Sequence, residues 1–284
     1  MKNRVPPLSP TLVKKILNRY DLHLAKGFGQ HFLIDDNIRR RIIEAARLQP
    51  QDHVLEVGAG IGTLTVALAD KCRQVTAIEL DSKLLPALKD TISPFNNIKV
   101  LATDAVKLSL ADLGIGATLP NKLVSNLPYN IAAPIIIKYL ENFSFLNTFT
   151  VMVQSEIAER ILAAPGRQKY GAYTVKLEFL AASRLVLKLS RDIFLPPPRV
   201  DSAVVQFKRR DVKFDSQARQ LFKLIESAFS QRRKQLVNSV NSGLNIEKAK
   251  IAAALTTLDI SADIRAESLS LDDFIDLYQL LYRL

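Results

Sequence analysis

Residues 53–65 read HVLEVGAGIGTLT, and the fold follows from how this stretch is punctuated. An apolar run rich in valine closes on three glycines one residue apart, Gly58, Gly60 and Gly62, and a helical pattern over 62–70 follows directly. Glycines at a strand-to-helix turn permit left-handed backbone and close approach of a ligand. Working outward, the strand-like runs QVTAIEL (74–80), NIKVLAT (97–103), KLVSN (122–126) and TFTVMVQ (148–154) alternate with helical patterns over 82–92 and 131–141. Strand and helix alternating at this spacing predict an α/β fold. A mostly parallel sheet carries helices on both faces and binds its ligand at the carboxyl ends of the strands. The later runs RLVLKL (184–189) and SAVVQFKRR (202–210) are expected to complete the sheet with an antiparallel edge.

From Ser216, read as a helix N-cap, the apolar residues Ala218, Leu221, Phe222, Ile225, Ala228 and Phe229 recur at helical spacing, and no strand pattern returns. Two domains are therefore expected, 1–212 with a basic N-terminal extension and a small helical domain over 213–284. The 284 residues include 39 Lys and Arg against 28 Asp and Glu, a net charge of +11. The excess is uneven. Residues 1–50 carry ten basic and four acidic side chains and 151–250 carry nineteen and nine, whereas 51–150 are nearly balanced at eight and nine. A neutral module between basic flanks suits a polyanionic partner, since Lys and Arg on phosphates release condensed counterions. One cysteine, Cys72, rules out an intrachain disulfide and any multi-cysteine metal site, so no metal is expected and a reducing compartment is the natural reading. The start, MKNRVPPLSPTLVKK, has prolines where a secretory leader needs an apolar run, and no stretch approaches the ~18 apolar residues of a membrane span. The expectation is a cytoplasmic chain with no membrane partner.

The glycine spacing narrows the ligand. A dinucleotide loop reads G-x-G-x-x-G, whereas here position 63 is Thr and the order is Glu56-x-Gly58-x-Gly60-x-Gly62, which disfavours a pyrophosphate. Glu79 closes the second strand, where a carboxylate accepts from both ribose hydroxyls, with Leu80 beside it. Asp104 ends the third strand and is placed to accept from an adenine amino group while the Ala105 N–H donates to the ring. Loop and two acids together point to adenosine without phosphates, and S-adenosylmethionine fits best.

A second constellation, SNLPYNIAAP, follows the fourth strand and sets Asn126, Leu127, Pro128 and Tyr129 at its carboxyl end. An adenine amino group is a poor nucleophile because its lone pair is delocalised into the ring. The Asn126 side-chain oxygen and the Leu127 carbonyl can accept its two N–H bonds and draw the nitrogen towards sp3 geometry, with Pro128 holding the turn rigid. No strong general base is then needed. Tyr129 offers a π-face to an unstacked base.

In order along the chain, GFGQHFL (27–33), EVGAGIGTLT (56–65), IELD (78–81), TDAV (103–106), NLPYNI (126–131), IFLPPPRVDSAVVQF (193–207) and AFSQRRKQLVNSV (228–240) resemble the ribosomal RNA adenine dimethyltransferase family. The likeness is to its KsgA branch rather than to the Erm resistance methyltransferases. This resemblance covers nearly the whole chain. It implies a Rossmann-like class I methyltransferase that dimethylates N6 of two adjacent adenines in the 3′-terminal hairpin loop of 16S RNA, on the 30S subunit or its precursor, as a monomer. It implies that Gln30, His31 and Leu33 close over the methionine end of the cofactor, and that Phe194 stacks on the target adenine opposite Tyr129; an interdomain hydrophobic anchor accounts for Phe194 equally well. His31 departs from the family, which usually has Asn there; its ring can still hydrogen-bond, and a tolerated polar substitution is the simpler reading than a pH sensor. Arg232, Arg233 and Lys234, a basic cluster on an amphipathic helix, are expected to contact RNA phosphates, and Arg39, Arg40 and Arg41 either bind RNA backbone or face solvent. The rivals are Erm-type methylation of large-subunit RNA, a non-catalytic nucleic-acid-binding factor of this fold, and, more distantly, a nicotinamide dehydrogenase.

Overall fold

A computed structural model describes residues 9–22, 31–114, 118–231 and 233–282. In chain order the elements begin with α1 (Pro10–Arg19), β1 (Phe32–Leu33), α2 (Asp36–Ala46), β2 (His53–Val57), α3 (Thr65–Ala69), β3 (Gln74–Glu79), α4 (Leu85–Ile92) and β4 (Ile98–Ala102). There follow α5 (Leu110–Leu113), β5 (Lys122–Asn126), α6 (Ala132–Asn142), β6 (Thr148–Gln154), α7 (Ser155–Ile161), α8 (Ala172–Leu180), β7 (Ala181–Leu189), β8 (Phe194–Leu195) and β9 (Ser202–Arg209). The remaining helices are α9 (Ser216–Phe229), α10 (Leu236–Leu244), α11 (Lys248–Thr257) and α12 (Leu271–Tyr282).

Seven strands form one sheet in the order β4-β3-β2-β5-β6-β9-β7. β4, β3, β2, β5 and β6 run parallel, and β9 enters antiparallel to β6, in register from Thr148↔Lys208 to Gln154↔Ser202. Every residue of β2 is buried, as expected of a parallel strand covered on both faces. Strand order reverses between β2 and β5, so the crevice beyond their carboxyl ends is the topological switch point at which such sheets bind ligands. β1 and β8 pair separately and antiparallel, Phe32 opposite Leu195 and Leu33 opposite Phe194, which carries residue 31 to the same end of the sheet.

The opposite end of β2 and β5 is tied by a polar network. Lys122 lies 2.9 Å from Asp52, Asn121 Nδ2 donates to Asp52 at 2.7 Å, and the His53 N–H donates to Asn121 Oδ1 at 2.9 Å. Burial alone would raise the Asp52 pKa, but the hydrogen bonds from Asn121 and Gln49 and the Lys122 charge outweigh it and hold the carboxyl low.

Two compact units emerge, residues 1–158 with 184–209, and residues 159–183 with 210–284. The sequence pattern puts the boundary near 213, yet 159–183 joins the helical unit. The reason is aromatic: Phe179 of α8 meets Phe222 of α9 edge-on at 5.6 Å, Tyr170 meets Phe229 at 6.1 Å, and the Tyr170 hydroxyl donates to the Leu269 carbonyl at 2.8 Å. Within this unit α9 is capped by Asp215, whose carboxylate accepts from the N–H groups of Gln217 and Ala218, and not by Ser216, which is the first helical residue. Among the described residues no helix is long and apolar enough to cross a membrane.

Candidate functional site

A cavity of about 280 Å³ opens at the switch point, near the lower end of small-molecule site volumes. It is lined by β1, the loop after β2, the ends of β3 and β4, and the segment after β5. The Gly58 and Ala59 N–H groups both donate to the Ile78 carbonyl, at 2.8 and 3.0 Å, and turn the chain back across β3. Gly58 takes φ +76°, and a Cβ there would stand 3.0 Å from Pro128 Cγ, so the bare α-carbon is what lets the segment after β5 close over the glycine loop. Gly60, at φ +61°, lies under the Phe32 ring in the same way, its would-be Cβ only 2.8 Å away.

Glu79 is held by that turn, one carboxylate oxygen accepting from the Gly60 N–H at 2.7 Å and the other from the Asp81 N–H at 2.8 Å. Burial raises its pKa, against the pull of these backbone bonds. Leu80 is 55% exposed, an apolar face presented at the cavity rim. Asp104 accepts from the Val106 N–H at 2.8 Å, and the Ala105 carbonyl is braced by the Tyr139 hydroxyl at 2.8 Å. Glu56, 2% exposed, keeps one carboxylate oxygen without a hydrogen-bond partner among the described residues. Its pKa is pushed up to about 8, chiefly by burial, with the Glu79 charge adding to it. Three carboxylates and no Lys or Arg line the cavity among the described residues, so it suits a ligand with hydroxyl and amino donors or positive charge and repels phosphates.

Asn126 ends β5, and its Nδ2 donates to the His31 carbonyl at 3.0 Å. That bond fixes which way the amide points: with the nitrogen committed to the backbone, Oδ1 is the end left to accept. The His31 Nδ1 lies 2.8 Å from the Pro196 carbonyl, and its ring packs against Tyr129, centroids 5.6 Å apart and planes 30° apart. The Leu127 N–H donates to the Met152 carbonyl at 3.2 Å, and the Ile131 N–H to the Pro128 carbonyl at 3.1 Å, which rigidifies the turn. Burial raises the Tyr129 pKa, so the phenol is neutral at pH 7.

The cavity thus gathers His31, Leu33, Glu56, Gly58, Gly60, Glu79, Leu80, Asp104, Ala105, Asn126, Leu127, Pro128 and Tyr129. Other expected site residues lie elsewhere. Gly62 does not line it: a Cβ there would meet Leu88 and Thr91 at 3.1 Å, so this glycine serves the packing of the loop on α4. Phe194 is 2% exposed, belongs to the hydrophobic core with Leu33 and Val204, and does not line the cavity. Arg233 and Lys234 sit exposed in the turn between α9 and α10 rather than on a helix, and Gln30 and Arg232 fall outside the described residues. Of the three consecutive arginines, Arg40 and Arg41 face solvent, but Arg39 is buried against Asp36 in the first turns of α2, contrary to either expectation. Sequence reasoning missed Ser202, whose Oγ lies 2.6 Å from the Tyr129 hydroxyl; the contact spans 73 residues and has no local signal.

The family model for ribosomal RNA adenine dimethylase matches residues 22–283. The chain is 39% identical to ribosomal RNA small subunit methyltransferase A of Ligilactobacillus salivarius, covering 100% of this chain and 99% of the relative, and 38% identical to that of Clostridioides difficile, covering 94% and 93%. Among solved structures it is similar to a dimethyladenosine transferase from Plasmodium falciparum, with 27% identity, a TM-score of 0.75 and 87% and 96% of the two chains covered. It is also similar to the 23S rRNA methyltransferase ErmE, with 27% identity, a TM-score of 0.68 and 88% and 99% covered. With an acidic cavity at the switch point beside an amide whose oxygen is left to accept, and a family match over nearly its whole length, the chain belongs to the ribosomal RNA adenine dimethylases.

Proposed function

We propose that this enzyme uses S-adenosylmethionine to dimethylate N6 of two adjacent adenines in the 3′-terminal hairpin loop of 16S ribosomal RNA. It acts as a cytoplasmic monomer on the 30S subunit or its precursor. The orientation of Asn126, fixed by its bond to the His31 carbonyl, carries the reading. When bound, the cofactor supplies a methyl group on a positively charged sulfur. Glu79, already organised by two backbone N–H groups, accepts from the ribose hydroxyls; Asp104 and the Ala105 N–H recognise the adenine edge; Leu80 covers the ring. Glu56, with its unpartnered oxygen, completes an acidic wall suited to a cationic ligand.

At the acceptor end, Asn126 Oδ1 and the Leu127 carbonyl accept from the two N6–H groups of the target base, which draws the nitrogen towards sp3 geometry and localises on it the lone pair otherwise delocalised into the ring. Two neutral acceptors suffice, because an alkylated aromatic amine loses its proton readily. Tyr129 receives the flipped base on its ring. The +11 net charge supplies the sequence-independent hold on RNA, with Arg233 and Lys234 among the contacts.

Labelled S-adenosylmethionine incubated with unmodified 30S subunits, 50S subunits and naked RNA, followed by mapping of the label, tests the assignment. Two dimethylated neighbouring adenines in 16S RNA are expected. Label confined to large-subunit RNA would overturn the substrate, and no label at all would overturn the enzyme.

A further inference from the structure

Tyr129 is fixed at its hydroxyl by Ser202, a residue given no role in the site above. Ser202 is fully buried at the start of β9, and its Oγ lies 2.6 Å from the Tyr129 hydroxyl. The serine is itself held firmly. It stands opposite Gln154 in the β6–β9 ladder, and the preceding Asp201 carbonyl accepts from the Ser155 N–H at 2.9 Å. One side of the Tyr129 ring is taken by His31, whose Nδ1 is anchored on the Pro196 carbonyl. Hydroxyl and one face are therefore both constrained, by elements far apart in sequence.

We propose that Ser202 is a positioning residue for the methyl acceptor, acting only through Tyr129; this rests on the reading of the acceptor pocket given above. Stacking by itself tolerates sliding and rotation of a base over a ring, whereas hydrogen bonds to Asn126 Oδ1 and the Leu127 carbonyl demand distances near ~2.9 Å and good alignment. Pinning the phenol to the sheet removes the ring's freedom to swing, so that the face not covered by His31 meets each incoming adenine at one angle. The second methyl transfer depends on this most. After the first, N6 keeps a single hydrogen to orient it and carries a methyl group that must be accommodated, so a loosened ring fails first at the second step.

Ser202→Ala, Tyr129→Phe and the double variant form a cycle that isolates this contact. Single-turnover reactions on unmodified 30S subunits, read as the ratio of monomethyl- to dimethyladenosine, are run beside cofactor titrations and thermal melts. Each single variant is expected to slow the second transfer by about three- to tenfold, the range for losing one neutral hydrogen bond, with cofactor affinity unchanged. The double variant is expected to be no slower than either single one. Tyr129→Phe probes the same bond from its other end, so the result stands even if Ser202→Ala folds poorly. Losses that multiply in the double variant, or an unaltered product ratio in Tyr129→Phe, overturn the proposal. Failure of the wider assignment looks different: the unaltered protein would then leave no dimethyladenosine in 16S RNA.

Discussion

Exchanging Glu56 for Gln removes a titrating group from the cavity wall while keeping its shape. The carboxyl is 2% exposed, and its pKa is pushed from 4.5 to about 8, first by burial and then by the neighbouring Glu79 charge. At ~1.36 kcal/mol per unit, the difference corresponds to a native-state cost on the order of 5 kcal/mol once Glu56 is ionised. For an acid whose folded pKa is raised, the penalty is absent below the unfolded value. It then grows as pH climbs from 4.5 towards 8, because the unfolded chain releases the proton and the folded one keeps it. Stability contributed by the neutral form is thus lost on the alkaline side. Gln has no such slope. Urea denaturation of both proteins at pH 5.5, 7.0 and 8.5 should show the variant gaining about 3 kcal/mol on the parent across that range. Curves that stay parallel within about 0.5 kcal/mol would refute the reasoning. A cationic cofactor in the same cavity favours ionised Glu56, so calorimetric titration with S-adenosylmethionine near pH 7 in buffers of different ionisation enthalpy should detect proton release in the parent and none in Glu56→Gln.

Gly58→Ala forces a side chain into left-handed backbone, at ~1–2 kcal/mol, and pushes its Cβ to 3.0 Å from Pro128; melts should show the lost stability, and methyl transfer should fall further than cofactor affinity does. Asn126→Ala removes the oriented acceptor and should slow transfer roughly a hundredfold, with monomethyladenosine accumulating, as read by nucleoside mass spectrometry. Gly243→Ala would place a Cβ 2.1 Å from Ser227 Oγ and 2.9 Å from Ser227 Cβ, where α9 and α10 cross. It should destabilise the helical unit by ~1–3 kcal/mol in denaturation, with Ser227→Ala restoring only part. Cys72 is buried and its thiol is pushed up to about 12 by burial, so intact protein should resist iodoacetamide at pH 8 while urea-unfolded protein is alkylated, as mass measurement will tell.

The strands of the parallel sheet were legible because each is a short apolar run ended by chemistry: Gly58 after β2, Glu79 at the end of β3, Asp104 just past β4 and Asn126 at the end of β5. The same ends line the cavity, which is why the cofactor wall could be read from one dimension. What escaped depends on contacts between distant segments. Gly58 and Gly62 look alike in the loop, yet one opens towards Pro128 and the other towards α4. Phe194 shares its neighbourhood with a rigid proline run, but it is buried in a core that includes Leu33, its strand partner some 160 positions away. Arg39 sits in a run of arginines that reads as surface, and only the packing of α2 buries it. The division of the chain fails to follow the change from strand to helix pattern for a like reason: Phe179 and Tyr170 find their partners after residue 213.

The amide of Asn126 leans on the main chain of residue 31, not on its imidazole. Every amino acid brings the same carbonyl, so the side chain at position 31 can change without reversing the polarity of the acceptor. The pocket's capacity to accept from an N–H donor is thereby insulated from drift at its own doorstep.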